Sequence, residues 1–202
     1  MKLKGGLSLD INRMKNIFII FYILINFQYI AKADDISNFE IEGISVGDSA
    51  LIHFSNKDLN KSLLEYKSDK YLTSSITLKA DSDYEVLQLS YLKKDKKKKI
   101  VDINGIVDQD YSKCLKKIKV IEKDFDSLFS NYNKQPLDTY EHAVDKSGKS
   151  KVSDIIWRFQ NGDVAILACY TWNPNYEGGY PDEFRVAIGT KEFDNFLIYE
   201  AY

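Results

Sequence analysis

Val152-Ser153-Asp154-Ile155-Ile156-Trp157-Arg158-Phe159-Gln160-Asn161-Gly162-Asp163-Val164-Ala165-Ile166-Leu167-Ala168-Cys169-Tyr170-Thr171-Trp172 is the stretch whose reading decides the fold. Two apolar runs, Val152 to Phe159 and Val164 to Trp172, flank Asn161-Gly162. Asn-Gly between such runs is the strongest short-range hairpin signal, because both residues tolerate the left-handed backbone of a tight turn. Val164 to Ala168 is continuously apolar, which predicts a central strand covered on both faces. A central strand needs neighbours, so further strands are expected on either side of this hairpin.

Downstream, a loop from Asn173 to Asp182 leads to a strand from Phe184 to Ile188. Thr190 then caps a terminal helix that carries Phe193, Phe196 and Leu197. Upstream, Tyr140 to Val144 reads as a strand and Asp145 to Lys151 as a polar turn, with Asn131 to Asp138 a linker around Pro136. The clearest helix runs from Asp110 to Phe129. Tyr111, Cys114, Leu115, Ile118, Ile121, Phe125, Leu128 and Phe129 form one stripe at intervals of three and four, and Lys113, Lys116, Lys117, Glu122, Lys123 and Asp126 cover most of the rest. Such a helix lies on a sheet with its stripe inward.

Three more strands precede it, Tyr71 to Leu78, Tyr84 to Leu92 and Ile100 to Val107, with the period-two alternation of an antiparallel sheet. The lysine run from Lys93 to Lys99 joins the second and third as a charged hairpin tip. Nearer the start, Ile41 to Ser49 is extended and turns into a helix, with Asp48 or Ser49 as cap and Leu51 and Ile52 beginning an apolar face. Ser55-Asn56-Lys57-Asp58 is a second cap with a carboxylate three residues on, and Leu59, Leu63 and Leu64 continue at helical spacing. Together these predict an α+β fold: an antiparallel sheet with helices packed on one face, readable as a divergent tandem of helix–meander units without a residue-level repeat.

Residues 1–33 read as a secretory signal peptide. Lys15 precedes the apolar run Ile17 to Ile25, and Ala31-Lys32-Ala33 is a small-x-small cleavage site followed by Asp34-Asp35. The apolar core is about half the roughly 20 residues that a spanning helix needs, so no membrane span is expected after cleavage. Met14 is the better start, which makes residues 1–13 an upstream extension. Residues 34–202 then form a single α+β domain in the periplasm or outside the cell. Removing the leader takes five basic residues and one acidic residue from a chain of net charge −2, leaving −6. An acidic domain is a poor match for nucleic acid, whose phosphates demand a basic face. With 44% hydrophobic and 13% aromatic residues, the chain has enough apolar surface to fold.

The two cysteines, Cys114 and Cys169, lie in the exported part, where an even count favours a disulfide over two separate buried thiols. Two Cys and two His without ligand spacing argue against a metal site, and no cofactor is implied. His53 and His142 are candidate bases, but no nucleophile can be tied to either by spacing. Asp34-Asp35, Asp81-Ser82-Asp83 and Asp108-Gln109-Asp110 are acidic pairs at element ends, where caps and turns account for them. The lysine run could meet an anionic surface, or serve as a solvated turn that blocks edge pairing. The best binding patch is aromatic. Trp172, Tyr176 and Tyr180 gather with Tyr170 around Asn173-Pro174-Asn175 and Gly178-Gly179, and Arg185 follows closely in sequence.

The leader, Ile41-Glu42-Gly43-Ile44-Ser45-Val46-Gly47-Asp48-Ser49 and Thr190-Lys191-Glu192-Phe193-Asp194-Asn195-Phe196-Leu197 resemble an uncharacterised family of small exported bacterial proteins. Residues 43–54 are also similar to the opening helix of the small lipoproteins of outer-membrane assembly (the SmpA/OmlA group) and of the β-lactamase-inhibitor-like fold. That resemblance implies helix pairs packed on antiparallel meanders and transfers no functional residue. The chain lacks the lipidation Cys and the usual Gly at the end of that helix. The functional expectation is an exported, non-catalytic binding protein whose partner is an envelope protein or a small ligand. The alternative is a small periplasmic hydrolase.

Overall fold

The computed structural model of the chain describes residues 35–176 and 179–202. The leader and its cleavage site at Ala33 lie outside the described residues, as does Gly178 of the aromatic loop. A two-residue hairpin, β1 (Glu40–Ile41) and β2 (Ile44–Ser45), opens the described chain. Two one-turn helices follow, α1 (Ala50–His53) and α2 (Asn56–Leu59), and then a meander of β3 (Leu63–Glu65), β4 (Tyr71–Thr77), β5 (Val86–Leu92) and β6 (Ile100–Asp108). Helix α3 (Tyr111–Leu128) leads to a second meander, β7 (Tyr132–Glu141), β8 (Lys151–Phe159), β9 (Val164–Thr171) and β10 (Glu183–Gly189), and α4 (Lys191–Tyr199) closes the chain. The strands lie in the order β3-β4-β5-β6-β10-β9-β8-β7, every pair antiparallel. The fold is α+β and sheet-dominated. Two helix–meander units meet through their last strands, β6 and β10.

Alternation assigns the two faces of this sheet. Leu87, Leu89, Ile103, Phe184, Val186, Ile188, Leu167, Ile155 and Trp157 form one core with Ala50 of α1, Leu59 of α2 and Cys114, Ile118 and Phe125 of α3. Capping set these helix starts: Asp110 accepts from Lys113 N at the head of α3, and Ser55 and Asp58 form a capping box on α2. Helix α4, capped by Thr190, crosses one end of the opposite face, where Phe193 and Phe196 pack edge-on and tilted against Tyr71 and Tyr66. Arg158 joins it there through Asp194 at 2.8 Å.

Two segments differ from the sequence reading. Leu63 and Leu64 belong to β3, because α2 ends after one turn at Asn60 and Leu63 pairs with Ser74. Asn131 to Asp138 is mostly edge strand β7, with the ladder shifted between Gln135 and Asp138. Pro136 is tolerated there because an edge strand needs no ladder donor on its open side. The lysine tip does lie between β5 and β6, with Asp95 accepting from Lys97 N and Lys99 N.

The expected disulfide is present. Cys114 on α3 and Cys169 on β9 are bonded, with Cα atoms 5.8 Å apart and a sequence separation of 55. No described cysteine is free. Among the described residues no helix is long and apolar enough to cross a membrane. On a chain-entropy argument a loop of this size contributes about 4 kcal/mol. Replacing both Cys114 and Cys169 by Ser should therefore lower the melting temperature by roughly 10 °C, while denatured, unreduced wild-type protein shows no titratable thiol.

Candidate functional site

On the face opposite α3, the residues left over by the core alternation are polar and aromatic. Glu183 and Arg185 stand two apart on β10, and register sets Arg185 opposite Ala168 of β9 and Ile106 of β6. The Arg185 guanidinium donates to Glu183 through Nε at 2.7 Å and lies 4.4 Å from the centre of the Tyr170 ring. Its Nη1 reaches Gln88 Oε1 on β5 at 3.5 Å. The guanidinium thus sits flat between an acid and a ring, a geometry that suits a planar cation. Burial pushes the Tyr170 hydroxyl up to about 12 despite the neighbouring Arg185 charge.

The aromatic series continues past Tyr170. Trp172 lies nearly parallel to it at 6.1 Å, Tyr176 is 5.7 Å from Trp172, and Tyr180 is 5.0 Å from Trp172. His142 packs on the same indole at 4.6 Å. Two side chains fix the base of this loop. Asp182 accepts from Trp172 N and from Tyr111 N, tying the end of β9 to the first turn of α3. Ser150 accepts from Asn173 N at 2.9 Å and donates to Asp145 at 2.7 Å. Asp145 also accepts from Ser147 N and Ser150 N, and the Ser150 and Ser147 bonds hold its carboxyl well below the usual carboxylate range. That tight turn positions His142. Val144 N donates to His142 Nδ1, and burial together with Arg185 depresses the imidazole to about 4. At neutral pH the ring is uncharged, with its proton on Nε2.

A second polar network lies further along the same face. Tyr66, Thr73, Ser90, Asp102 and Asn104 are linked, with Asp102 Oδ2 accepting from Ser90 at 3.2 Å and from Asn104 at 2.7 Å. Since the Ser90 proton goes to Asp102, Thr73 donates to Ser90 and Tyr66 to Thr73. Asp102 is buried, and desolvation lifts its carboxyl to about 7, with nearby Asp194 adding to the rise. At the edge of the sheet Tyr140 donates to Asp154 at 2.6 Å.

The structure therefore brings together Trp172, Tyr176, Tyr180 and Arg185, the four residues expected from sequence to bind. Trp172 and Tyr176 are half-buried and Tyr180 is 50% exposed. The Trp172 Nε1 donor is buried without a partner among the described residues. Arg158, Asp182 and Glu183 also lie near the aromatic loop in sequence and could add polar contacts there. In the fold Arg158 goes to Asp194 and the Gly162 carbonyl, Asp182 is an anchor, and Glu183 joins Arg185. Sequence reasoning placed Tyr170 in the aromatic cluster but missed it as the ring under Arg185, and missed Gln88 and His142 nearby. His53 lies elsewhere, 3.3 Å from Asp48. Among the described residues no cluster of His, Cys, Asp and Glu is arranged to hold a metal. Comparison of the chain with protein-family models, with curated proteins and with solved structures finds no match.

Buried Asp102 and half-buried His142 pull stability in opposite directions with pH. Asp102 changes from about 7 folded to about 3.9 unfolded, so its contribution is full below pH 4 and is lost as pH rises toward 7. His142 changes from about 4 folded to about 6.5 unfolded, so its contribution is full above pH 6.5 and is lost on acidification. Asp102→Asn should remove the first trend alone. Relative to wild type the variant should gain a few kcal/mol between pH 4 and pH 8, on the order of the shift itself. Urea unfolding of both proteins across that range measures it, and parallel curves would refute the assignment.

Proposed function

We propose that the chain is an exported, disulfide-bonded binding protein whose ligand surface is the sheet face carrying Arg185, Tyr170, Trp172, Tyr176 and Tyr180. Its partner is an envelope protein or a small molecule held against these rings. The observation that carries the reading is the packing of Trp172 between His142, Tyr176 and Tyr180, a ring cluster that leaves Tyr180 50% exposed. Large rings lose little conformational entropy on binding and cover much area. The rings are also held in advance, because Asp182 and Ser150 secure both ends of the segment that bears them.

The features around His142 favour binding over hydrolysis. Its Nδ1 is occupied by a backbone amide, so no carboxylate orients the ring as it would a general base. The disulfide and the leader read at residues 1–33 support a place outside the cytoplasm. Protein recovered from the exported fraction should begin at Asp34 on N-terminal sequencing. Full-length chain retained in the membrane would argue against export.

A photo-crosslinking residue in place of Tyr180 should trap the partner in cells. Adding Tyr176→Ala and Arg185→Ala should reduce that crosslink severalfold. The Tyr176→Ala change by itself should leave the melting temperature within a few degrees, as expected for a partly exposed loop ring. A large fall in melting temperature with the crosslink intact would make these rings structural.

A further inference from the structure

The outer side of α3 carries an unpaired row of lysines. Lys116, Lys119 and Lys123 follow at spacings of three and four, so they line the side turned away from Cys114, Ile118 and Phe125. Lys113 lies beside that line and Lys117 turns its ammonium over the Phe184 ring, 4.6 Å from its centre; all five residues are exposed. Among the described residues none of the five makes an ion pair. Of the three acids in the helix, Glu122 and Asp126 are bonded to Lys134 of β7 at 2.6 and 2.7 Å, and Asp124 is exposed and makes no ion pair among the described residues. Val120, 66% exposed, sits among the lysines.

On the other face of the sheet the cations are matched within the fold: Arg158 pairs with Asp194, Arg185 with Glu183 and Lys70 with Glu200. The unmatched lysines of α3 therefore orient the protein over a negatively charged surface with this helix down.

We propose that the lysine side of α3 docks the protein onto an anionic phospholipid bilayer. The helix is about 27 Å long and its basic line is straight, which suits a flat surface better than a pocketed one. Lysines are flexible point charges that follow mobile headgroups, whereas a fixed carboxylate or phosphate geometry is better met by the arginine fork. Each lysine brought to such a surface raises the partition roughly fivefold. Docked this way, the protein holds its Arg185 face away from the bilayer. The proposal does not depend on what that face binds.

Co-sedimentation with vesicles tests it. Disulfide-bonded wild-type protein should bind vesicles of phosphatidylcholine with phosphatidylglycerol, leave vesicles of phosphatidylcholine alone, and be released by high salt. Lys116→Glu, Lys119→Glu and Lys123→Glu together should cut binding at least tenfold while circular dichroism and melting temperature stay at wild-type values. Lys116→Arg, Lys119→Arg and Lys123→Arg should keep it. Equal binding by wild type and the glutamate variant overturns the proposal, as does retention on soluble heparin with none on the vesicles. A larger loss from Lys94→Glu, Lys96→Glu and Lys97→Glu in the β5–β6 turn than from the α3 variant also overturns it, by moving the contact to the turn.

Discussion

Two four-stranded meanders become one sheet only because β6 and β10 pair, from Asp108 opposite Glu183 to Asp102 opposite Gly189. Every other strand pairing is between neighbours in the chain; this one joins segments more than seventy residues apart. It is also tightly specified by shape. Gly105 lies opposite Val186, and a Cβ there would come within 2.6 Å of the Tyr84 ring. Gly189 lies where a Cβ would strike the Asp102 carboxylate at 2.8 Å. A slip of one residue would exchange the faces of β10. Phe184, Val186 and Ile188 would leave the α3 core, and Glu183 and Arg185 would enter it. The Cys114–Cys169 bond, one strand away on β9, fastens α3 to the side of the seam that needs covering.

The parts of this fold that could be read from sequence are those whose information is local. The stripe on α3, the turn around Gly162, whose φ is +92°, and the caps at Asp110 and Thr190 each depend on residues a few positions apart. Leu63 and Leu64 misled because leucines at helical spacing are equally at home on a strand, and a one-turn helix leaves too little pattern to choose. Tyr132 to Glu141 misled because proline reads as a break. Only the position of β7 at the edge, a non-local fact, makes Pro136 acceptable.

The candidate site divides in the same way. Trp172, Tyr176 and Tyr180 lie in one short segment, so their clustering was legible. Arg185 was reached by proximity in sequence, but its surroundings come from register. Tyr170 and Gln88 meet it because β5, β6, β10 and β9 are adjacent in that order, while Glu183 meets it from two residues back on the same strand. His142 arrives from the turn before β8, held by an Asp145–Ser150 bond that the chain spells out locally and whose consequence it does not.

The polar face is also where the fold gives up stability. Arg185 and Glu183 are a largely desolvated pair on a sheet surface, with side chains 19% and 10% exposed. Such pairs are often no better for stability than apolar residues of the same size. Asp102 nearby is driven toward its neutral form by burial, and the Trp172 indole donor has no partner among the described residues. On the α3 side the same strands present apolar residues around the seam, among them Leu87, Leu89, Ile103, Phe184, Val186 and Ile188, so the β6–β10 pairing itself does not require charge. The terminal helix shows that this face can be covered by apolar packing, since Phe193 and Phe196 do so over Tyr71. That cover leaves Tyr180 50% exposed, so the costly groups lie, largely desolvated, beside rings that still meet solvent and whatever arrives there.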